Sequence, residues 1–94
     1  MLGEPDQLRT ALNWDVALQI ERAVTEFEVA WRKGSFTEIE WVLQQNSTVP
    51  ARELFCALLE TELELRRLNG ETPDPARWTA RFPQWSLETE RILA

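Results

Sequence analysis

Any chemistry in this chain would have to come from carboxylates. Glu60, Glu62 and Glu64 fall within one short stretch, and clustered acids can serve as an acid–base pair or as oxygen ligands for a hard cation when they converge. On a helix, however, steps of two residues point in different directions around the axis. The three are therefore expected on a solvated, charge-balanced face. The chain has no histidine, which removes Ser-His-Asp and Cys-His nucleophilic systems, HExxH zinc sites and the usual base near neutral pH. A single cysteine, Cys56, cannot form an internal disulfide and argues against a zinc site. Its neighbours Leu54, Phe55, Leu58 and Leu59 suit an inert, buried thiol. The three glycines are isolated, so neither GxxxxGK[ST] nor GxGxxG is present to cradle a phosphate. Catalytic, cofactor-binding and metal-binding residues are accordingly all expected to be none.

Aromatic side chains are the other unusual resource. The stretch "FEVAWRKGSFTEIEWVL" holds two tryptophans and two phenylalanines among charged residues. Trp31 and Trp78 lie on the apolar sides of their segments and are expected in the core. An alternative is a small-molecule sensor whose helices enclose a pocket lined by those two rings. Trp14, Trp41 and Trp85 sit near helix starts or off the main stripes, where an indole is either a lid on a small core or an anchor for a partner.

The elements that position these residues read as helices throughout. Residues 1–12 contain Gly3 and Pro5 with little periodicity and are expected as a flexible arm. Residues 13–94 form the helical domain. Asn13 or Asp15 can cap a first helix with Val16, Ile20, Ala23, Val24, Phe27, Ala30 and Trp31 inward, closed by Gly34 after Arg32 and Lys33. Ser35 or Thr37 can cap a second around Ile39, Val42 and Leu43. Pro50 suits the first turn of a third, whose Leu54, Leu58, Leu65 and Leu68, with Phe55, Leu59 and Leu63 alongside, make a wide apolar face. Glu53, Ala57, Glu60, Glu64 and Arg67 lie opposite. Gly70 ends it, Asp74 with Pro75 starts a fourth helix, Pro83 closes that one, and Ser86 caps a last segment with Leu87, Ile92 and Leu93. The spacing predicts an all-α fold, a compact bundle of four to five helices, with no alternating strand pattern.

Charge narrows the partners. A formal charge of -6 repels phosphate backbones and anionic lipid heads, so nucleic acid is not expected. No run approaches the ~20 apolar residues of a membrane span, and "MLGEPDQLRT" lacks the basic and apolar regions of an export signal. A cytoplasmic protein is the expectation. Because the last apolar pattern stops where the chain stops, a longer native protein is also expected.

The blocks "FEVAWRKG", "IEWVL", "LFCALLETELELRRLNGETP" and "RWTARFP", in that order and spacing, resemble the amino-terminal helical segment of planctomycete-type bacterial serine/threonine protein kinases over about residues 20–85. The third block is the most specific. Val42 and Trp78 depart from the family, which usually has tyrosine there, though both remain apolar. The resemblance implies a non-catalytic regulatory or docking module ahead of a kinase domain. It does not imply the kinase itself, since the single lysine, Lys33, stands beside a helix-ending glycine and the HRD-type and DFG motifs are missing. The expected partner is another protein or a second copy of the chain. Trp41, with Leu87 and Leu93 of the last helix, is the expected partner surface, ringed by Glu38, Glu40, Glu88 and Glu90.

Overall fold

The computed structural model describes residues 4–35 and 37–94, with side chains from Trp14 onward. Five α-helices follow one another: α1 Glu4–Arg32, α2 Ile39–Gln45, α3 Ala51–Leu68, α4 Pro75–Arg81 and α5 Ser86–Leu93, with a 3-10 turn at Pro83–Trp85 before α5. No strand occurs among the described residues. The all-α class expected from the spacing is the observed one.

Glycine closes the two longest helices by the same device. Ser35 N donates to Ala30 O at 2.8 Å and Gly34 N to Trp31 O at 3.0 Å; Glu71 N donates to Arg66 O at 2.9 Å and Gly70 N to Arg67 O at 2.9 Å. These paired bonds are Schellman closures, which need a left-handed residue. Gly34 at φ 84° and Gly70 at φ 85° supply it. The start of α4 also follows the sequence reading, with Ala76 N donating to the Asp74 carboxylate at 3.2 Å and Pro75 in the first turn.

Other boundaries differ. The first helix begins at Glu4 instead of Asn13, so residues 4–12, expected as a loose arm, form its first turns. Pro5 fits a first turn, where its missing N–H is no loss. The arm's first three residues lie outside those described. Glu38, and not Ser35 or Thr37, occupies the cap position of α2, without a side-chain cap bond. Pro50 and Trp85 stand one residue before α3 and α5, in the cap positions.

The core centres on α3. Its Leu54, Phe55, Leu58, Leu59 and Leu63 form one cluster with Ala23 and Phe27 of α1, Ile39 and Val42 of α2, Val49, Trp78 and Phe82. Trp31 near the end of α1 meets Arg66 near the end of α3. The two helices therefore run in the same sense, with α2 and its flanking loops returning the chain between them. At 29 residues, α1 spans about 43 Å, which accounts for the long 53 Å axis beside extents of 30 and 22 Å. Leu68 is a correction: expected on the inward stripe, it is 70% exposed. Helix α1 closes at Gly34, leaving Leu68 beside Trp31, Arg32 and Gly34 on an open groove.

Leu58 is fully buried, so Leu58→Ala should cost about 2–5 kcal/mol through lost burial plus a cavity. Glu60→Ala, on the exposed face, should stay within about 0.5 kcal/mol. Urea denaturation of the two variants checks the assignment, and comparable losses in both would show that α3 is buried on all sides.

Candidate functional site

The three clustered glutamates do not share one face. Glu60 and Glu64 are exposed, as expected, but Glu62 is only 2% exposed, a correction to the solvated face read from the sequence. A buried carboxylate must be compensated. Arg66, one turn on, donates through Nε to Glu62 Oε2 at 2.9 Å, and Arg81 of α4 approaches the same oxygen with Nη1 at 3.5 Å. Each arginine then reaches a further acid. Arg66 Nη1 donates to Glu71 Oε1 at 2.9 Å, and Arg81 grips Glu40 of α2 with two bonds, Nη2 to Oε1 at 2.9 Å and Nε to Oε2 at 3.1 Å.

Aromatic rings carry the guanidinium groups. Arg66 lies over Trp31 at 5.1 Å and over Trp78 at 5.4 Å, while Arg81 lies over Trp78 at 5.3 Å and Phe82 at 4.7 Å. These are cation–π distances. The chain of rings continues from Phe82 edge-on to Phe55 at 4.9 Å and from Phe55 stacked on Trp85 at 5.4 Å. Trp31 and Trp78, weighed as walls of a ligand pocket, thus both contact one guanidinium of the same chain. Trp85 is a lid on the core.

Electrostatics fixes the charge on Glu40 and on the two arginines. The bidentate bond from Arg81 holds the Glu40 carboxyl below its ordinary value. Burial opposes the charge on Arg81, but the Glu40 hydrogen bond and the fields of Glu40 and Glu62 outweigh it and push its pKa upward. Arg66 behaves likewise through Glu62 and Glu71. Carboxylates engaged this way serve as acceptors for fixed cations and are poorly placed to shuttle protons. The Cys56 thiol is raised by burial, against the lowering field of Arg52, and a protonated thiol is a poor nucleophile. No group of three or more His, Cys, Asp or Glu among the described residues is placed to hold a metal ion.

The expected partner surface is divided. Trp41 is 56% exposed and Leu87 71% exposed, whereas Leu93 is half-buried against the core. The groove that holds Trp41 is walled by α1, not by α5: Ala23, Glu26 and Phe27 face Thr37, Trp41, Val42, Gln45 and Asn46 across about 300 Å³. Helix α5 packs on α3 and α4, and Arg52 of α3 donates to Glu88 at 2.8 Å. Two of the acids expected around the patch, Glu40 and Glu88, are thereby bound in ion pairs. The sequence reading missed Ala23, Glu26 and Phe27 as neighbours of Trp41. It missed Glu62, Arg66 and Arg81 as well, although the four-residue step from Glu62 to Arg66 was a usable signal. No helix among the described residues is long and apolar enough to cross a membrane. Comparison with family models, curated proteins and solved structures yields no match.

Glu62→Ala should cost about 1–3 kcal/mol, because it removes the buried acceptor shared by Arg66 and Arg81 and leaves them Glu71 and Glu40 alone; a loss below about 0.5 kcal/mol, on the scale of surface substitutions, would show that the pairing is incidental. Glu40 supplies a pH test. A carboxylate whose folded pKa is depressed adds stability above its unfolded value and loses it as pH falls through the folded one. The melting temperature should therefore drop on acidification from the ordinary glutamate value near 4.5 downward, and the drop should be shallower in Glu40→Gln.

Proposed function

We propose that the chain is a non-catalytic helical module that binds another protein or a second copy of itself, set ahead of a serine/threonine kinase domain in a cytoplasmic bacterial protein, as its sequence resemblance implies. The observation that carries this reading is the division of its tryptophans. Trp31, Trp78 and Trp85 are engaged within the fold, whereas Trp14 and Trp41 are 65% and 56% exposed. An exposed indole costs solubility and contributes little to folding. Beside a groove, it is the residue type most often found as an energetic anchor between proteins. Engagement of the Glu62 and Glu40 carboxylates by arginine supports a structural role for the acids that could have done chemistry.

A photo-crosslinking residue at position 41, with position 60 as a reference, tests the reading in cells. Illumination should give a defined adduct from position 41, either a dimer of the 11.0 kDa chain or a heteromeric species, and none from position 60. Absence of an adduct from position 41, or turnover of ATP at an enzyme-like rate by the purified chain, would overturn it.

A further inference from the structure

We infer that the groove between α1 and α2 takes a basic amphipathic segment of a partner protein, which inserts one large apolar side chain and places a lysine or arginine against Glu26 and the face of Trp41. The inference rests on the interaction reading above and specifies its ligand.

The groove has an apolar floor, polar sides at Thr37, Gln45 and Asn46, and one charged residue. Ala23, Phe27 and Val42 are buried members of the core that also line it, and the small Ala23 side chain leaves the recess open. About 300 Å³ accommodates a leucine or phenylalanine side chain. Trp41 forms a wall of the recess and is 56% exposed, so an inserted side chain would cover apolar surface on both partners. The one charged lining residue is Glu26. It is exposed and enters no ion pair among the described residues. Exposed Glu38 follows Thr37 at the groove's edge, whereas Arg22, one turn before Glu26, does not line the recess. An acidic segment would face uncompensated like charge, and a basic one would gain both a carboxylate and an indole face.

The grooves at Arg66 and near Leu68 lack an exposed indole. Arg66, Arg77 and Arg81 share theirs with Glu71 and Asp74, and Arg66 and Arg81 are already paired with acids. Near Leu68, Glu28 pairs with Arg32 and Glu64 with Arg67, and the remaining acid, Glu60, adjoins Leu65 and Leu68 with no indole beside it. Of these grooves, the one at Trp41 joins an exposed indole to an unpaired carboxylate.

Two synthetic helical peptides with the same leucine and phenylalanine face test the inference, one flanked by lysine and arginine and the other by glutamate. Binding to the full chain is read by anisotropy of a dye on the peptide, with circular dichroism confirming that each variant is folded. The basic peptide should bind saturably and the acidic one at least about tenfold more weakly, with Trp41→Ala weakening the basic peptide by about tenfold and Glu26→Gln by several-fold. Glu60→Gln removes the same charge beside a different groove and should leave Kd unchanged. Equal loss in Glu26→Gln and Glu60→Gln would reduce the effect to net charge and overturn the inference, as would equal binding of both peptides or no binding of either. A crosslink from position 41 to a partner without basic residues at the contact would overturn the inference and leave the interaction reading standing. Absence of any crosslink would remove that reading as well.

Discussion

One buried carboxylate organises this fold. Glu62 sits on α3 with almost no solvent contact and draws in Arg66 from its own helix and Arg81 from α4. A carboxylate in that position is stable only while cations stay close. Its need is met by residues that are themselves fixed elsewhere, Arg81 by Glu40 of α2 and Arg66 by Glu71 beyond the closing turn of α3. Four chain segments converge on one charge. Leucine contacts alone would let the short helix α4 slide along α3 at small cost, because dispersion and burial are not directional. Directional, charge-assisted hydrogen bonds select one register.

That choice dictates where the aromatics go. Guanidinium groups leave their flat faces open when their N–H groups point at carboxylates, and the faces of Arg66 and Arg81 are covered by Trp31, Trp78 and Phe82. Phe55 and Trp85 extend the stack toward the amino-terminal end of α3. A chain of 94 residues buries a modest share of its surface. Large rings in contact with paired cations let it fill the junction of α1, α3 and α4 without a larger leucine core. The same arrangement accounts for three of the five tryptophans and leaves Trp14 and Trp41 outside it.

Features set by local chemistry were legible in the sequence. The closures at Gly34 and Gly70, the Asp74–Pro75 start and the buried stripe from Leu54 to Leu63 depend on residues within a turn or two of one another. Glu62 was misread because its second cation lies 19 residues away, and the clamp on Arg81 joins residues 41 apart. Helical periodicity carries no information on such pairs. Leu68 was misread for a related reason: its position on the stripe is correct, but whether anything covers it depends on where a different helix, α1, stops. Trp41 was legible as a ring off the main apolar stripe, and it is exposed, yet its groove neighbours were not legible. The sequence pattern placed it near α5, and packing placed it beside α1.

The ion-pair network also shapes the field that a partner meets. Arg32, Arg52, Arg66, Arg67 and Arg81 are all spent on acids within the chain. Among the side chains from Trp14 onward, the acids outside these pairs include Asp15, Glu21, Glu26, Glu38, Glu53, Glu60 and Glu90, set against Arg22, Lys33, Arg77 and Arg91. Internal pairing thus removes cations from the surface in greater proportion than it removes anions. The excess negative charge in the composition is expressed outward, at sites the fold does not neutralise. A surface of that kind repels acidic proteins and nucleic acid at long range and accelerates basic ones. On the proposed docking reading, short-range selectivity falls to places where an unpaired carboxylate adjoins exposed apolar surface, as Glu26 does beside Trp41.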